Sequence, residues 1–258
     1  MRMLTKIYRL VILCGILMVI FILSSVTRAA DHTNLEEGLP VETTDAYPIP
    51  YLGREIQTVF NYDRGHEGVD SFIVTPRLEF GFPRNGQISI EVPVLFGEIE
   101  PDDIGETRLE WLYNFNQETL LLPAFAVTGA IDLPTGEDSQ GVDPLVKFIM
   151  TKTLSRSSLF HRLHVNLAYQ FNDDEQPRER SDWYKASIGY SARLSNETLF
   201  VADYVREERK EEDIEFNLIE TGVRYQLTPL TVISGGLGFG IGDESPDVRA
   251  ILGFQYTF

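Results

Sequence analysis

The chain has 258 residues, with 22 Lys and Arg against 39 Asp and Glu, a net charge of −17 and a single cysteine, Cys14. That acidity excludes a nucleic-acid partner, because phosphate binding needs a positive footprint. One thiol supports neither a disulfide framework nor a thiolate metal site.

Residues 1–29 read as a signal peptide. Arg2, Lys6 and Arg9 give a basic start, Leu10 to Leu23 run apolar without charge, and Ser24, Ser25, Thr27, Ala29 and Ala30 follow. Basic, apolar and then small residues is the order of a secretory signal. Cleavage after Ala29 leaves Thr27 at the upstream small position. An uncleaved anchor helix is the alternative, but the apolar run is shorter than the ~20 residues a span needs. Cys14 follows Leu13, not a small residue, which argues against a lipoprotein. Without this segment the cysteine is gone and 18 basic residues face 39 acidic ones, a net charge of −21.

Residues 30–53 form a periplasmic leader or a partial plug. Asp31 to Tyr51 show no alternation, and the expectation is a loose leader.

From residue 54 onward, period-two alternation recurs in segments of about ten residues, the signature of a transmembrane barrel. Phe72, Val74, Leu78, Phe80 and Phe82 share one parity, with Arg77 and Glu79 on the other. Ile88 to Phe96, Leu109 to Phe115, Leu159 to Phe171 and Val248 to Phe258 repeat the pattern. About twelve strands are predicted, starting near Arg54, Val69, Gly86, Glu106, Thr119, Pro144, Leu159, Trp183, Thr198, Ile214, Leu230 and Asp247. The fold class is therefore all-β, an antiparallel up-and-down barrel over residues 54–258.

The connections alternate between a short set (Pro83 to Gly86, Asn116 to Glu118, Ser155 to Ser158, Ser195 to Glu197, Thr228 to Pro229) and a longer, charged set. Bacterial barrels have short periplasmic turns and longer outer loops, which predicts both termini in the periplasm. Facing follows from energy. A one-residue slip of the strand over 159–171 would aim Arg162, His164, Asn166 and Gln170 at lipid. A basic side chain at the midplane costs about 2–4 kcal/mol there. His161 and Lys152 fall on the lipid parity, close to the short-turn end where that penalty fades.

Leu252, Phe254, Tyr256 and Phe258, alternating and closing on a terminal phenylalanine, resemble the C-terminal signal of outer-membrane barrels. The resemblance implies passage through the periplasm, insertion by the barrel-assembly machinery, and outer-membrane lipid and lipopolysaccharide as surroundings. A narrower resemblance rests on Ala130-Ile-Asp-Leu-Pro-Thr-Gly136 to Gly141, then Glu220-Thr-Gly-Val-Arg-Tyr225 to Pro229, Gly235-Gly236, Ser245-Pro-Asp247 and Gly253-Phe254. These stretches are similar to the transporter family labelled meta-pathway of phenol degradation (MetA-type). That family implies an outer-membrane barrel admitting small organic solutes.

The inward parity carries charge. Arg77, Glu79, Arg108 and Glu110 come from the first strands, Lys147, Arg162, His164 and Lys185 from the middle, and Glu220, Arg224 and Arg249 from the last. Leu112, Ile149, Val201, Val232 and Ile251 are interspersed. Eight strands are filled by side chains and sixteen leave a channel, so twelve predict a narrow or gated passage. This mixed lumen fits passive passage of small solutes, aromatic or weakly apolar ones among them. The alternative is a structural or surface-binding barrel whose charges pair and fill the interior.

No cofactor or metal site is predicted. The glycines at 235, 236, 238, 240 and 242 lack nucleotide-loop spacing and lead into an acidic loop, so curvature or close approach explains them better. The acidic loops, with Asp173, Asp174, Glu207, Glu208, Glu211, Glu212 and Asp213, lack calcium-loop spacing. A barrel-embedded lipid hydrolase needs a nucleophile–base pair. Only His161 and His164 lie in strands, without a clear serine and acid partner, so no enzyme is expected.

Overall fold

The computed structural model describes residues 29–65, 70–97, 103–136, 139–155 and 160–258. The signal-peptide reading of residues 1–28 lies outside them. Twelve antiparallel strands are formed. β1 is Arg54–Arg64 and β2 Asp70–Phe80. β3 comes in two parts, Gly86–Glu91 and Val94–Gly97. β4 is likewise Asp103–Ile104 and Thr107–Asn114. β5 is Ala124–Leu133, β6 Asp143–Ser155, β7 His161–Phe171 and β8 Asp182–Arg193. β9 is Thr198–Glu208, β10 Glu215–Thr228, β11 Thr231–Gly240 and β12 Val248–Thr257.

Each strand pairs with the next. β1 pairs with β12 from Glu55↔Thr257 to Arg64↔Val248, so the sheet closes on itself. Closure removes the free edges on which open sheets aggregate. The break in β3 falls at Pro93, which has no N–H to give to the ladder. The neighbouring strand bridges the gap, Gly105 N–H donating to the Pro93 carbonyl at 2.8 Å.

The outer surface is apolar. Trp111, Phe148, Leu167, Ile188, Ile219 and Leu252 are exposed, Phe148 at 59% and Leu167 at 51%. So large an exposed apolar belt on a closed barrel is a lipid-facing surface. The two residues of awkward parity are satisfied at the rim. Lys152 Nζ donates to Glu118 at 3.0 Å and to the Thr119 carbonyl at 2.8 Å. His161 hydrogen-bonds and stacks on Tyr190 of the adjacent strand.

Two expectations need correction. The fifth strand starts at Ala124, not near Thr119. Leu120, Leu121 and Leu122 form an exposed apolar run without alternation, and Asn116 closes the turn by donating to the Pro123 carbonyl at 2.8 Å. That turn, 115–123, is thus as long as the opposite-end loop 134–142, so loop lengths do not separate strictly.

The second correction concerns the leader, which is not loose: residues 30–50 thread the barrel interior. Ala30 N–H bonds the Pro229 carbonyl at the short-turn end, and Leu52 N–H bonds the Gly81 carbonyl at that same end. Between them the segment arches up into the lumen and back. Its apex is a tight turn with Gly38 at φ 78°, held by Gly38 N–H to the Val41 carbonyl (2.9 Å) and Leu39 N–H to the Glu36 carbonyl (3.0 Å). A buried backbone must have its polar groups satisfied, and here the wall side chains do it. Thr43, Thr44, Ala46 and Ile49 N–H groups donate to Asp203, Asn166, Thr151 and Gln87. Arg224 donates to the His32 and Leu39 carbonyls at 3.1 and 2.7 Å.

Candidate functional site

The leader divides the lumen. On the short-turn side it packs against the wall. Leu35 and Val41 bury with Leu199 and Val201, Leu39 with Val59 and Ile251, and Ala46 with Leu112 and Ile149. Four wall glycines make room. A Cβ at Gly189 would meet Thr43 at 2.7 Å, at Gly222 Pro40 at 2.6 Å, at Gly236 Pro40 at 2.9 Å and at Gly253 Leu39 at 2.3 Å. Of the glycine run only Gly236 meets the leader; a Cβ at Gly238 would meet Glu220 at 3.1 Å and one at Gly240 the Pro246 carbonyl at 2.2 Å.

On the long-loop side, which we call the mouth, a cavity of about 270 Å³ remains. Its wall carries Lys147, Lys185, Arg108, Arg209 and Arg249, and the apolar Ile73, Leu145, Ala168 and Trp183. The apex carboxylates of the leader, Glu37 and Glu42, form its floor. Outside it lies a second pocket of about 560 Å³, between Pro93, Glu106, Arg108 and the loop residues Glu179, Lys210 and Glu211.

The sequence-predicted residues fall into three groups. Lys147, Lys185, Arg108 and Arg249 line the mouth cavity. Lys147 bonds Glu37 at 2.8 Å and lies 3.7 Å from Glu110. Arg108 makes a two-pronged bond to Asp132, 2.7 Å on each arm, and Arg249 grips Asp63 in the same way at 2.7 and 2.8 Å. Paired forks of this kind fix geometry as well as charge. Arg249 also lies 3.4 Å from Glu220, whose carboxylate accepts from the Glu42 N–H at 3.1 Å.

A second group lies deeper, on the wall behind the leader. Arg77 pairs with Glu91 at 2.6 Å, and Glu79 accepts from Gln57 at 2.9 Å. Arg224 is only 1% exposed and is occupied by the leader and by Gln255 at 2.6 Å.

The third group closes the short-turn end. Arg162 sits 3.9 Å from Asp45 and over the rings of Phe160 and Tyr47. His164 is fully buried between Thr151 (3.1 Å) and Ser191 (3.0 Å). The His164–Ser191 contact has the spacing of a nucleophile and base, but the other ring nitrogen meets a hydroxyl instead of a carboxylate. With no exposed surface, it is a satisfied core histidine and not a triad. Of the terminal residues, Leu252, Phe254 and Tyr256 are exposed on the lipid face, and Phe258 N–H bonds the Arg54 carbonyl at 3.0 Å.

Sequence reasoning missed Glu37 and Glu42, because nothing in an unpatterned leader reports which wall residues it meets. It also missed the loop pairing at the mouth. Glu179 and Glu211 form a bridge, Arg180 N–H bonds the Lys210 carbonyl at 2.8 Å, and Glu212 N–H the Arg178 carbonyl at 2.8 Å. Lys210 reaches from that pair to Asp143 at 2.9 Å, tying the loops to the rim. Burial opposes the Lys210 charge, but Asp143 and Glu106 outweigh it and hold the ammonium above its ordinary range. Among the described residues no three carboxylates, histidines or cysteines converge as a metal site.

No family model matches the chain, and no curated protein matches it either. Solved structures do match. An outer membrane channel from Pseudomonas putida F1 superposes with a TM-score of 0.64 at 11% identity, covering 87% of this chain and all of that one. The KdgM porin gives 0.56 at 11% identity (79% and 99% covered), and the NanC porin 0.55 at 8% (80% and 98%). The chain has the twelve-stranded fold of outer-membrane β-barrels, the architecture that these channels and porins share.

Proposed function

We propose that this barrel is a passive channel for small solutes in the outer membrane, with the leader as a partial plug of its lumen. The single observation that carries the reading is the mouth cavity. It is lined by charged side chains interspersed with the apolar Trp183, Ile73, Leu145 and Ala168, Lys185 lying opposite Ala168 across β8 and β7. Such lining suits small polar or amphipathic solutes, and its apolar residues are what favour aromatic or weakly apolar cargo. The likeness to channels and porins supports passage over storage.

Narrower readings go with it. The loop and hairpin motifs support the meta-pathway transporter resemblance. Thr135 of the loop motif has a structural task, accepting from Thr107 N–H at 2.9 Å and donating to the Gly105 carbonyl at 2.7 Å. The lipid-facing Leu252, Phe254 and Tyr256 support an assembly signal read by the barrel-assembly machinery, with both termini in the periplasm. On that reading the mouth and its acidic loops face lipopolysaccharide.

A sealed structural or surface-binding barrel is the second reading, favoured by the tight packing of the leader against the short-turn half. Liposome swelling and single-channel conductance on the refolded chain separate the two. Passage of any small solute supports the channel; impermeability to all solutes tested leaves the sealed barrel.

A further inference from the structure

The charges of the mouth cavity are unevenly sourced. Lys147 Nζ meets one oxygen of Glu37 at 2.8 Å, and the other oxygen of Glu37 meets Lys185 Nζ at 2.7 Å. Lys185 in turn meets one oxygen of Glu42 at 2.5 Å, whose second oxygen lies 3.3 Å from Arg249. The result is a single alternating chain of three cations bridged by two carboxylates. All three cations stand on strands, β6, β8 and β12. Both carboxylates stand on the leader.

The wall gives its two lysines little else. Among the described residues, Lys147 has Glu110 at 3.7 Å and Lys185 has Glu207 at 3.9 Å, both longer than their leader partners. Arg249 differs, since Asp63 already holds it with both prongs. Two ammonium groups of a closed lumen therefore depend for short contacts on anions that the wall does not supply. Charges left with only those longer contacts in a closed lumen are poorly compensated, so a carboxylate reaching them at short range is favoured.

The cavity beside them has room for one. Its 270 Å³ equals the space of about nine waters at ~30 Å³ each. Ile73, Leu145 and Ala168 offer a surface for a short carbon skeleton.

We propose that this cavity is a binding site for small solutes bearing two closely spaced carboxylates, and that Glu37 and Glu42 occupy it as a tethered competitor. The site deepens the channel reading and rests on it for entry from the mouth. A solute must displace the leader carboxylates, so its apparent affinity is reduced by the fraction of time they are bound.

Trp183 lines the cavity, and the chain's other tryptophan, Trp111, is exposed on the outer face. In a full-length Trp111→Phe background in lipid vesicles, Trp183 emission therefore reports the site. The probes are glutarate and its neutral counterpart glutaramide. We expect saturable response to glutarate only, with the half-saturating concentration falling about ten-fold or more in the Glu37→Gln/Glu42→Gln variant. Adding Lys185→Gln to that variant is expected to reverse the gain.

Equal responses to glutarate and glutaramide would overturn the proposal. So would equal glutarate affinity with and without the two carboxylates, or no saturable response in either protein. Heat-modifiable mobility on gels reports folding. If the double variant fails to fold, Glu42→Gln alone must shift affinity in the same direction, and an unshifted value overturns the proposal. Solute flux measured on the same vesicles keeps the two readings apart. Flux of neutral solutes without glutarate binding rejects the site and keeps the channel, and saturable binding without any flux does the reverse.

Discussion

The two halves of the lumen use the same leader in opposite ways. On the short-turn side the leader is structure: its apolar side chains enter clefts left by wall glycines, and its backbone groups are matched by Arg224, Asn166, Asp203 and Thr151. On the mouth side its contacts are the Glu37 and Glu42 carboxylates and a backbone bond from the Glu42 N–H to Glu220. Packing and directional hydrogen bonds hold one position, whereas ion pairs near a water-filled space exchange partners readily. The comparison teaches that one segment can be anchored at its base and contestable at its tip.

The largest expected effect comes from removing the base anchor. Arg224→Met leaves the His32 and Leu39 carbonyls and Gln255 without their buried cation, a loss of about 3–5 kcal/mol by the usual cost of breaking buried charge networks. Denaturant unfolding in micelles measures it, and a rise in single-channel conductance is expected to accompany it as the leader releases. Unchanged stability would show that the base is no better anchored than the tip.

Phe148→Arg is the control, destabilising the barrel without touching the leader. Phe148 faces lipid opposite Leu167, and the change is expected to cost about 2–4 kcal/mol. Conductance of the folded fraction should stay at the parent value. A conductance change here would mean that leader seating and wall integrity cannot be separated.

Gly189→Val is smaller and more selective. The three atoms nearest an added Cβ all belong to Thr43 of the leader, so an overpacking cost of about 1–3 kcal/mol falls on the plug. Cleavage of the leader by added protease should rise while the barrel core stays resistant. Lys210→Ala ranks last, at about 0–1 kcal/mol for a rim ion pair. It should speed proteolysis of the loops 172–181 and 209–214, and high salt should mimic it in the parent protein.

The strands were legible in the sequence because a two-sided wall forces period two. Arg77 and Glu79 against Phe72, Val74 and Leu78 leave one workable register. The inward set followed from the same parity, but its pairing did not, since Lys185 and Glu37 are 148 positions apart. The leader was misread because it lies against walls on all sides and keeps no single face. A signal did exist. Gly189, Gly222, Gly236 and Gly253 all sit on the inward parity of β8, β10, β11 and β12, and a stretch of wall without side chains implies an occupant. The Leu120–Leu122 run shows the converse, apolar composition without alternation, and it forms a turn.

The leader's hydrogen bonds also set an order of assembly. His32 bonds Arg224 across 192 positions, Ala30 meets Gln226 across 196, and Leu39 meets Arg224 across 185. Contacts of such separation are closed late, because chain entropy is lost before they return anything. Part of the seat of the leader lies on β8 to β12, so it is not complete until the C-terminal hairpins have formed. Closure of β1 on β12 spans the same separations, from Glu55↔Thr257 to Arg64↔Val248, so seating of the leader and closure of the cylinder fall together at the end of assembly.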